Sequence, residues 1–202
     1  TSNRFTFFGR TFRENRLPFT PIIVVDLVNK FLSVMTLGSQ IFIVLSLLYA
    51  FLGRKKGEPL LPSAFSNKAL WFAFSVALLA MAGSLFYSEI AHYTPCKLCW
   101  YERILMYPQV LLIGMALWKK DKKFADYGLG MSILGFIIAA YHNYIYYTGN
   151  SLFPCDAAGL GESCTSRFIL EFGYITIPLM ALTAFALLIL LFAALRSTHK
   201  AK

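Results

Sequence analysis

The stretch TPCKLCWYER, residues 94–103, sets two cysteines three positions apart, just ahead of an acidic and a basic residue. Cysteines at this spacing serve either thiol–disulfide exchange or metal binding. If a helix begins near Pro95, its free N–H groups and its dipole favour a thiolate at its start. Cys99 and Arg103 would then share one helix face, where the guanidinium would stabilise a Cys99 thiolate. Because the thiolate is the nucleophile in disulfide exchange, this arrangement favours redox chemistry.

A second cysteine pair, Cys155 and Cys164, lies in the stretch SLFPCDAAGLGESCTSRF and completes the four cysteines of the chain. Of the three possible pairings, the economical one joins Cys96 to Cys99 and Cys155 to Cys164. The second pair sits in a Gly- and Ser-containing loop, which we expect to be mobile and able to reach a soluble partner. A structural zinc site built from all four cysteines and two inert disulfides remain alternatives. The helix-start position of the first pair, without His or acidic residues at zinc-finger spacing, favours redox chemistry.

The elements that must position these cysteines are membrane helices. The chain is 57% hydrophobic and only 14% charged, whereas soluble domains are about a quarter charged. Its apolar residues form five long blocks, at 31–53, 69–90, 100–118, about 127–147 and 175–195. Blocks of this length span a bilayer as helices, because backbone polar groups in lipid must be satisfied internally. We therefore predict an all-α integral membrane protein.

Basic residues predict the orientation of the five spans. Eleven of them fall in the linker after the first span, the linker after the third and the C-terminal tail: Arg54, Lys55, Lys56, Lys68, Lys119, Lys120, Lys122, Lys123, Arg196, Lys200 and Lys202. The opposite loops, at 91–99 and 148–174, carry two, Lys97 and Arg167. The side rich in Lys and Arg is expected to be cytoplasmic. Both cysteine pairs then lie on the extracytoplasmic side, where disulfides persist in bacteria.

The net charge of +9 fits this cytoplasmic bias, so we expect no nucleic-acid partner. The basic N-terminal residues disagree with it: Arg4, Arg10, Arg13, Arg16 and Lys30 precede the first span, on the side predicted to be outside. Long N-terminal segments can override the rule, or this segment lies along the membrane surface. The topology of the N-terminal segment therefore stays open.

Three further residues in the spans are candidates for the site. Arg103 lies near the membrane boundary, where an ionisable residue is by default a functional candidate. Its neighbour Glu102 we interpret as structural. His142 lies near the outer end of the fourth span and is either an interface residue or part of the same site. We expect Pro108 to kink the third span and open a crevice beside Tyr107.

The motif PCKLCWYERILMYP, followed by a cysteine pair between the last two spans, resembles the DsbB/BdbC disulfide bond formation proteins. The resemblance covers roughly residues 69–195. It implies a four-helix membrane bundle that reoxidises a thioredoxin-like dithiol oxidase of the DsbA/BdbD type and passes the electrons to a membrane quinone. Such a chain is a protein-dithiol:quinone oxidoreductase of the bacterial cytoplasmic (inner) membrane. The quinone is either ubiquinone or menaquinone.

The resemblance also implies roles for individual residues. Cys99 would face the quinone, with Cys96 as its disulfide partner. Arg103 would lie beside the quinone and support the thiolate. Cys155 would form the mixed disulfide with the soluble oxidase, and Cys164 would then exchange with Cys96. His142 and Tyr107 are further candidates for the quinone site. The second pair is more closely spaced than in DsbB itself and nearer to the spacing of BdbC-like members.

The resemblance divides the chain into three parts. Residues 1–68 hold the basic N-terminal segment, an additional N-terminal membrane helix and a cytoplasmic linker. Residues 69–195 form the four-helix redox bundle, and residues 196–202 form a cytoplasmic tail. A vitamin K epoxide reductase-like enzyme remains an alternative, although its Cys-x-x-C usually lies near the C-terminal end of the bundle. A non-enzymatic membrane protein with a structural four-cysteine zinc site is another.

Overall fold

The computed structural model describes residues 20–52, 63–121, 123–149 and 169–200. They form five α-helices: α1 (Thr20–Leu52), α2 (Ser63–Leu85), α3 (Lys97–Lys119), α4 (Phe124–Thr148) and α5 (Ile177–Lys200). A π-helical turn, Phe86–Ile90, extends α2. Each predicted block lies largely within one helix. The first helix begins well before residue 31, because the apolar stretch PIIVVDLV continues into it.

Helices α2 to α5 form a closed four-helix bundle. α2 packs against α3 and α5, and α4 packs against α3 and α5. Small residues bring α2 close to its neighbours, since Ala69, Ala73 and Ala77 recur every four positions and are almost fully buried. Large side chains of α5, including Phe185 and Phe192, fill the centre of the bundle. The fold is therefore the predicted four-helix bundle with one additional N-terminal helix.

Four helices among the described residues are long and apolar enough to cross a membrane: Ile23–Leu52, Lys68–Ile90, Phe124–Thr148 and Ile177–Ser197. Their outward faces carry exposed large apolar side chains, as expected for surfaces in contact with lipid. Helix α3 has 23 residues, enough to span a bilayer. It is less apolar than the others because it contains Glu102, Arg103 and Gln109. Those polar residues belong to the interior of the bundle or to its cavity.

Polar side chains join the helices inside the bundle. Gln109 of α3 is fully buried, and its Oε1 accepts a hydrogen bond of 3.0 Å from Ser132 Oγ of α4. Asn143 of α4 donates through Nδ2 to the carbonyl oxygen of Pro178, at the start of α5, over 2.8 Å. Such bonds specify which helices pair, because lipid does not drive helices together by the hydrophobic effect.

Helix α1 lies outside this bundle and packs against α5. Gln40 of α1 donates to Thr183 Oγ1 of α5 over 3.2 Å, and it accepts a bond of 3.0 Å from Tyr174 Oη. Eight residues before Gln40, α1 places Leu32 against α2. A Cβ atom at Gly83 would lie 3.1 Å from Leu32 Cδ1, so the glycine permits this close approach. These contacts fix α1 on the groove between α2 and α5.

Candidate dithiol redox site

The start of α3 positions Cys96 and Cys99. The helix begins at Lys97, and Cys96 is its N-cap residue. Cys96 Sγ accepts a hydrogen bond from the backbone N–H of Cys99 over 3.4 Å. The sulfur thus occupies the place that a Ser or Asp oxygen usually takes at a helix N-terminus. The helix starts two residues after Pro95, near the expected position, and Cys99 lies in its first turn.

The two thiols are in direct contact. Their Sγ atoms lie 2.9 Å apart, with Cys96 buried and Cys99 partly exposed. Hydrogen bonding from Cys99 and from His142 outweighs the effect of burial and lowers the pKa of Cys96 to about 4. A thiolate at Cys96 is therefore stabilised in the reduced pair. Either sulfur can donate in the contact between the two thiols, and the thiolate that the spacing favours at Cys99 stays a prediction.

A buried histidine and carboxylate stand behind Cys96. His142 Nε2 of α4 lies 3.6 Å from Cys96 Sγ, and His142 Nδ1 lies 2.9 Å from Glu102 Oε1 of α3. Both side chains are at least nine-tenths buried. With the carboxylate accepting from Nδ1–H, His142 turns Nε2 toward the sulfur. Cys96, His142 and Glu102 form a continuous chain of polar groups in which His142 can exchange a proton with Cys96.

Arg103 follows Cys99 by four residues on α3, and its contacts are with Ser84 of α2 and with Trp100. Its Nη2 donates to the backbone carbonyl oxygen of Ser84, near the end of α2, over 3.1 Å. Its Cζ lies 5.6 Å from the ring centroid of Trp100, within the range of a cation–π contact. Within the described residues, the buried Arg103 Nε has no hydrogen-bond partner. Tyr107 donates to the hydroxyl of the same Ser84 over 3.3 Å.

A cavity of about 370 Å³ opens beside these residues, in the size range of small-molecule sites. Cys96, Cys99, Arg103, Tyr107 and His142 all contribute to its wall. Most of the remaining wall consists of apolar side chains of α1, α2 and α5. The cysteine pair therefore faces a mostly apolar cavity, and the charged groups of its wall, Glu102 and Arg103, lie beside the pair with His142.

The structure brings together five of the predicted site residues: Cys96, Cys99, Arg103, Tyr107 and His142. The role of each residue remains a prediction. Cys155 and Cys164 lie outside the described residues. Sequence reasoning missed the contact of Glu102 with His142 and the part of Ser84 in holding Arg103 and Tyr107. The available signal for Glu102 was a carboxylate within an apolar span, whereas no sequence pattern distinguishes Ser84.

Comparison with known proteins places the site in a family context. The family model for the disulfide bond formation protein DsbB matches residues 66–195, which include the four-helix bundle and both cysteine pairs. Disulfide bond formation protein C of Bacillus subtilis is 42% identical over 129 residues, covering 63% of this chain and 91% of that protein. A probable disulfide formation protein of Oceanobacillus iheyensis is 45% identical over 115 residues, 57% of this chain and 79% of that protein.

No solved structure shows significant similarity to the chain. The family match covers well over half of the sequence and begins after α1. It includes the helix-capping dithiol and the buried His142 that define the site. The resemblance read from PCKLCWYERILMYP is thereby confirmed. The chain belongs to the DsbB family of membrane disulfide bond formation proteins.

Proposed function

We propose that this chain is a protein-dithiol:quinone oxidoreductase, which reoxidises a thioredoxin-fold dithiol oxidase of the DsbA/BdbD type at the cytoplasmic membrane. The observation that carries the proposal is the position of Cys96 and Cys99, in contact with each other at the wall of an apolar cavity. Family membership supports the disulfide chemistry. The cavity supports an apolar acceptor drawn from the lipid.

The polar end of the cavity fits a quinone. Quinone oxygens accept hydrogen bonds, and Arg103 Nε is a buried donor without a partner among the described residues. Tyr87 Oη is likewise buried without one and belongs to the same wall. Arg103, Tyr107 and His142 are the residues that would hold the ring beside Cys99. A bound quinone would supply an acceptor for two electrons and two protons.

The protein's own groups account for the exchange steps. The reduced partner dithiol attacks the Cys155–Cys164 disulfide, becomes oxidised and leaves two thiols in the loop. These thiols reduce the Cys96–Cys99 disulfide, so two electrons and two protons move to the pair at the start of α3. His142 Nε2 takes the proton from Cys96, and Glu102 holds the resulting charge on the imidazole. Cys96 and Cys99 then form their disulfide again, and a bound quinone would accept the two electrons and two protons that the pair gives up.

The charge distribution supports an extracytoplasmic position for both cysteine pairs. Helix α3 runs from Lys97 to Lys119 and is about 34 Å long, roughly the thickness of a bilayer core. Lys119 and Lys120 therefore lie about one membrane thickness from Cys96. Because basic residues accumulate on the cytoplasmic side, the dithiol belongs to the opposite surface.

The decisive experiment is reconstitution of the purified chain with a reduced thioredoxin-like oxidase and either ubiquinone or menaquinone, following quinone absorbance. We expect turnover with the wild type and none with Cys99→Ser, which should keep its fold because serine is smaller than cysteine. The matched control is Ser88→Ala, which removes a hydroxyl from the π-helical turn outside the cavity wall and should turn over normally. Normal turnover by Cys99→Ser would end the proposal.

A metal site is the second candidate, because one observation favours it. Sγ of Cys96, Sγ of Cys99 and a ring nitrogen of His142 lie within 4.8 Å of one another. The two sulfur atoms are 2.9 Å apart, whereas two thiolates on one tetrahedral zinc ion lie about 3.8 Å apart at Zn–S distances of about 2.3 Å. The geometry therefore suits a dithiol better. Stoichiometric zinc in the purified protein would favour the metal site.

A further inference from the structure

The cavity beside the dithiol extends far beyond the polar residues that would hold a quinone ring. On α2 its wall runs from Phe72 to Ser84, and on α5 from Ile177 to Leu187. At a rise of 1.5 Å per residue these stretches cover about 18 Å and about 15 Å. The cavity is thus an elongated groove along the bundle, with the dithiol at one end.

Helix α1 closes the outer side of this groove. Leu32, Met35, Thr36 and Ser39 contribute to the wall, and their spacing of three and four residues places them on one helix face. The hydroxyls of Thr36 and Ser39 bond back to carbonyl oxygens of α1 over 2.8 Å each. Their donor capacity is used within the helix, so this face is effectively apolar toward the cavity.

Small residues leave space in part of the groove. Ala80 and Gly83 of α2, with Ala181 and Ala184 of α5, line it where α1 passes over. Meanwhile Gln40 anchors α1 to Thr183 and Tyr174 at a fixed distance from the bundle. Helix α1 therefore forms a roof over the groove, which Leu32 narrows where it contacts Gly83.

We propose that α1, α2 and α5 enclose a channel for the isoprenoid tail of a membrane quinone, with α1 as its outer wall. A linear apolar chain fits an elongated apolar groove that begins at the candidate ring site and runs along the helices. The inference rests on the proposed quinone reduction. The inference goes beyond that reaction because it gives a role to α1, which lies outside the family match that begins at residue 66. The extra helix is a specificity element for the tail.

The test uses two quinones and the full chain. Menadione has the menaquinone ring without a tail, so it reports on the ring site alone, and a long-tailed menaquinone reports on both. Binding is measured in detergent by quenching of tryptophan fluorescence, which does not depend on turnover. Thr36→Phe and Ser39→Phe place a ring in the channel from the face that lines it. Val34→Phe is the matched control, because Val34 is 55% exposed on the outside of α1.

We expect Thr36→Phe and Ser39→Phe each to weaken binding of the long-tailed quinone by about tenfold or more, as a misfit in an apolar pocket does. Binding of menadione should change little, and Val34→Phe should affect neither ligand. Thermal unfolding of each variant checks its fold, and Ser39→Phe carries the test if the more buried Thr36→Phe does not fold.

Three results would overturn the inference. Unchanged affinity of the long-tailed quinone in Ser39→Phe would show that α1 does not bound the tail. An equal loss of menadione binding would assign α1 to the ring site instead. Failure of the wild type to bind either quinone would remove the proposed function itself, and with it the channel.

Discussion

Replacing Glu102 tests whether the buried carboxylate acts through His142 on the cysteine pair. Glu102 Oε1 lies 2.9 Å from His142 Nδ1, and Glu102 is 8% exposed, so water cannot take its place. A hydrogen bond to a charged group contributes about 1.5–3 kcal/mol, and a neutral one about 0.5–1.5 kcal/mol. At pH values below the Cys96 pKa of about 4, Glu102→Gln, which keeps an acceptor and loses the charge, should therefore slow oxidation of the pair about tenfold. Under the same conditions Glu102→Ala, which loses the bond, should slow it about tenfold to a hundredfold.

The assay follows oxidation of the pre-reduced Cys96/Cys99 pair by a small disulfide such as oxidised glutathione, with free thiols trapped after an acid quench. It contains no quinone, so it reports only on the two exchange steps of this pair. One cysteine thiolate attacks oxidised glutathione and releases a glutathione thiolate, and the second cysteine then attacks the mixed disulfide and releases the other. A Cys155→Ser/Cys164→Ser background limits the signal to this pair. Glu89→Gln is the matched control, since Glu89 is an exposed carboxylate on the π-helical turn that extends α2.

The pH profile separates this role from a purely structural one. If Glu102 acts through His142, the deficit of the variants should shrink as the pH rises above the Cys96 pKa of about 4, because Cys96 is then deprotonated in the variants as well. A variant that is merely misfolded loses activity at every pH. The reasoning is refuted if Glu102→Ala unfolds at the wild-type temperature and yet keeps the wild-type rate and pH profile.

Two further predictions concern the thiolate and the packing of the bundle. Because the pKa of Cys96 is lowered to about 4, the ultraviolet thiolate absorbance of the reduced protein should persist as the pH falls and disappear only near that value. His142→Ala should move this transition to higher pH. A transition that does not move would contradict the contact between His142 and Cys96. Gly135→Ala should lower the free energy of unfolding by about 1–3 kcal/mol, because its Cβ would collide with the fully buried Phe185 ring. Gly130→Ala has open space and should be neutral or slightly stabilising, as thermal unfolding in detergent will show.

The helices were predictable because each depends on a local property, a run of apolar residues long enough to cross a bilayer. The approach of Cys99 and Arg103 to one cavity also follows from spacing along a single helix. The hydrogen-bond partner of Arg103 does not follow from that spacing. Its bond to the carbonyl oxygen of Ser84 depends on how α2 packs against α3, and no local pattern encodes that. For the same reason the sequence alone leaves Glu102 as a structural residue, because its partner His142 lies 40 positions away.

Apolar length decides that a segment becomes a membrane helix, yet it says little about which helix lies beside which. Lipid solvates an apolar helix face about as well as another helix does, so pairing depends on close packing and on polar contacts. In this chain those contacts are specific, and they include Gln109 with Ser132, Asn143 with Pro178, and Gln40 with Thr183. The third of them joins α1 to the bundle and is thus the contact on which the outer wall of the cavity depends. Polar residues inside apolar spans are therefore the positions at which sequence most directly specifies the architecture of this site.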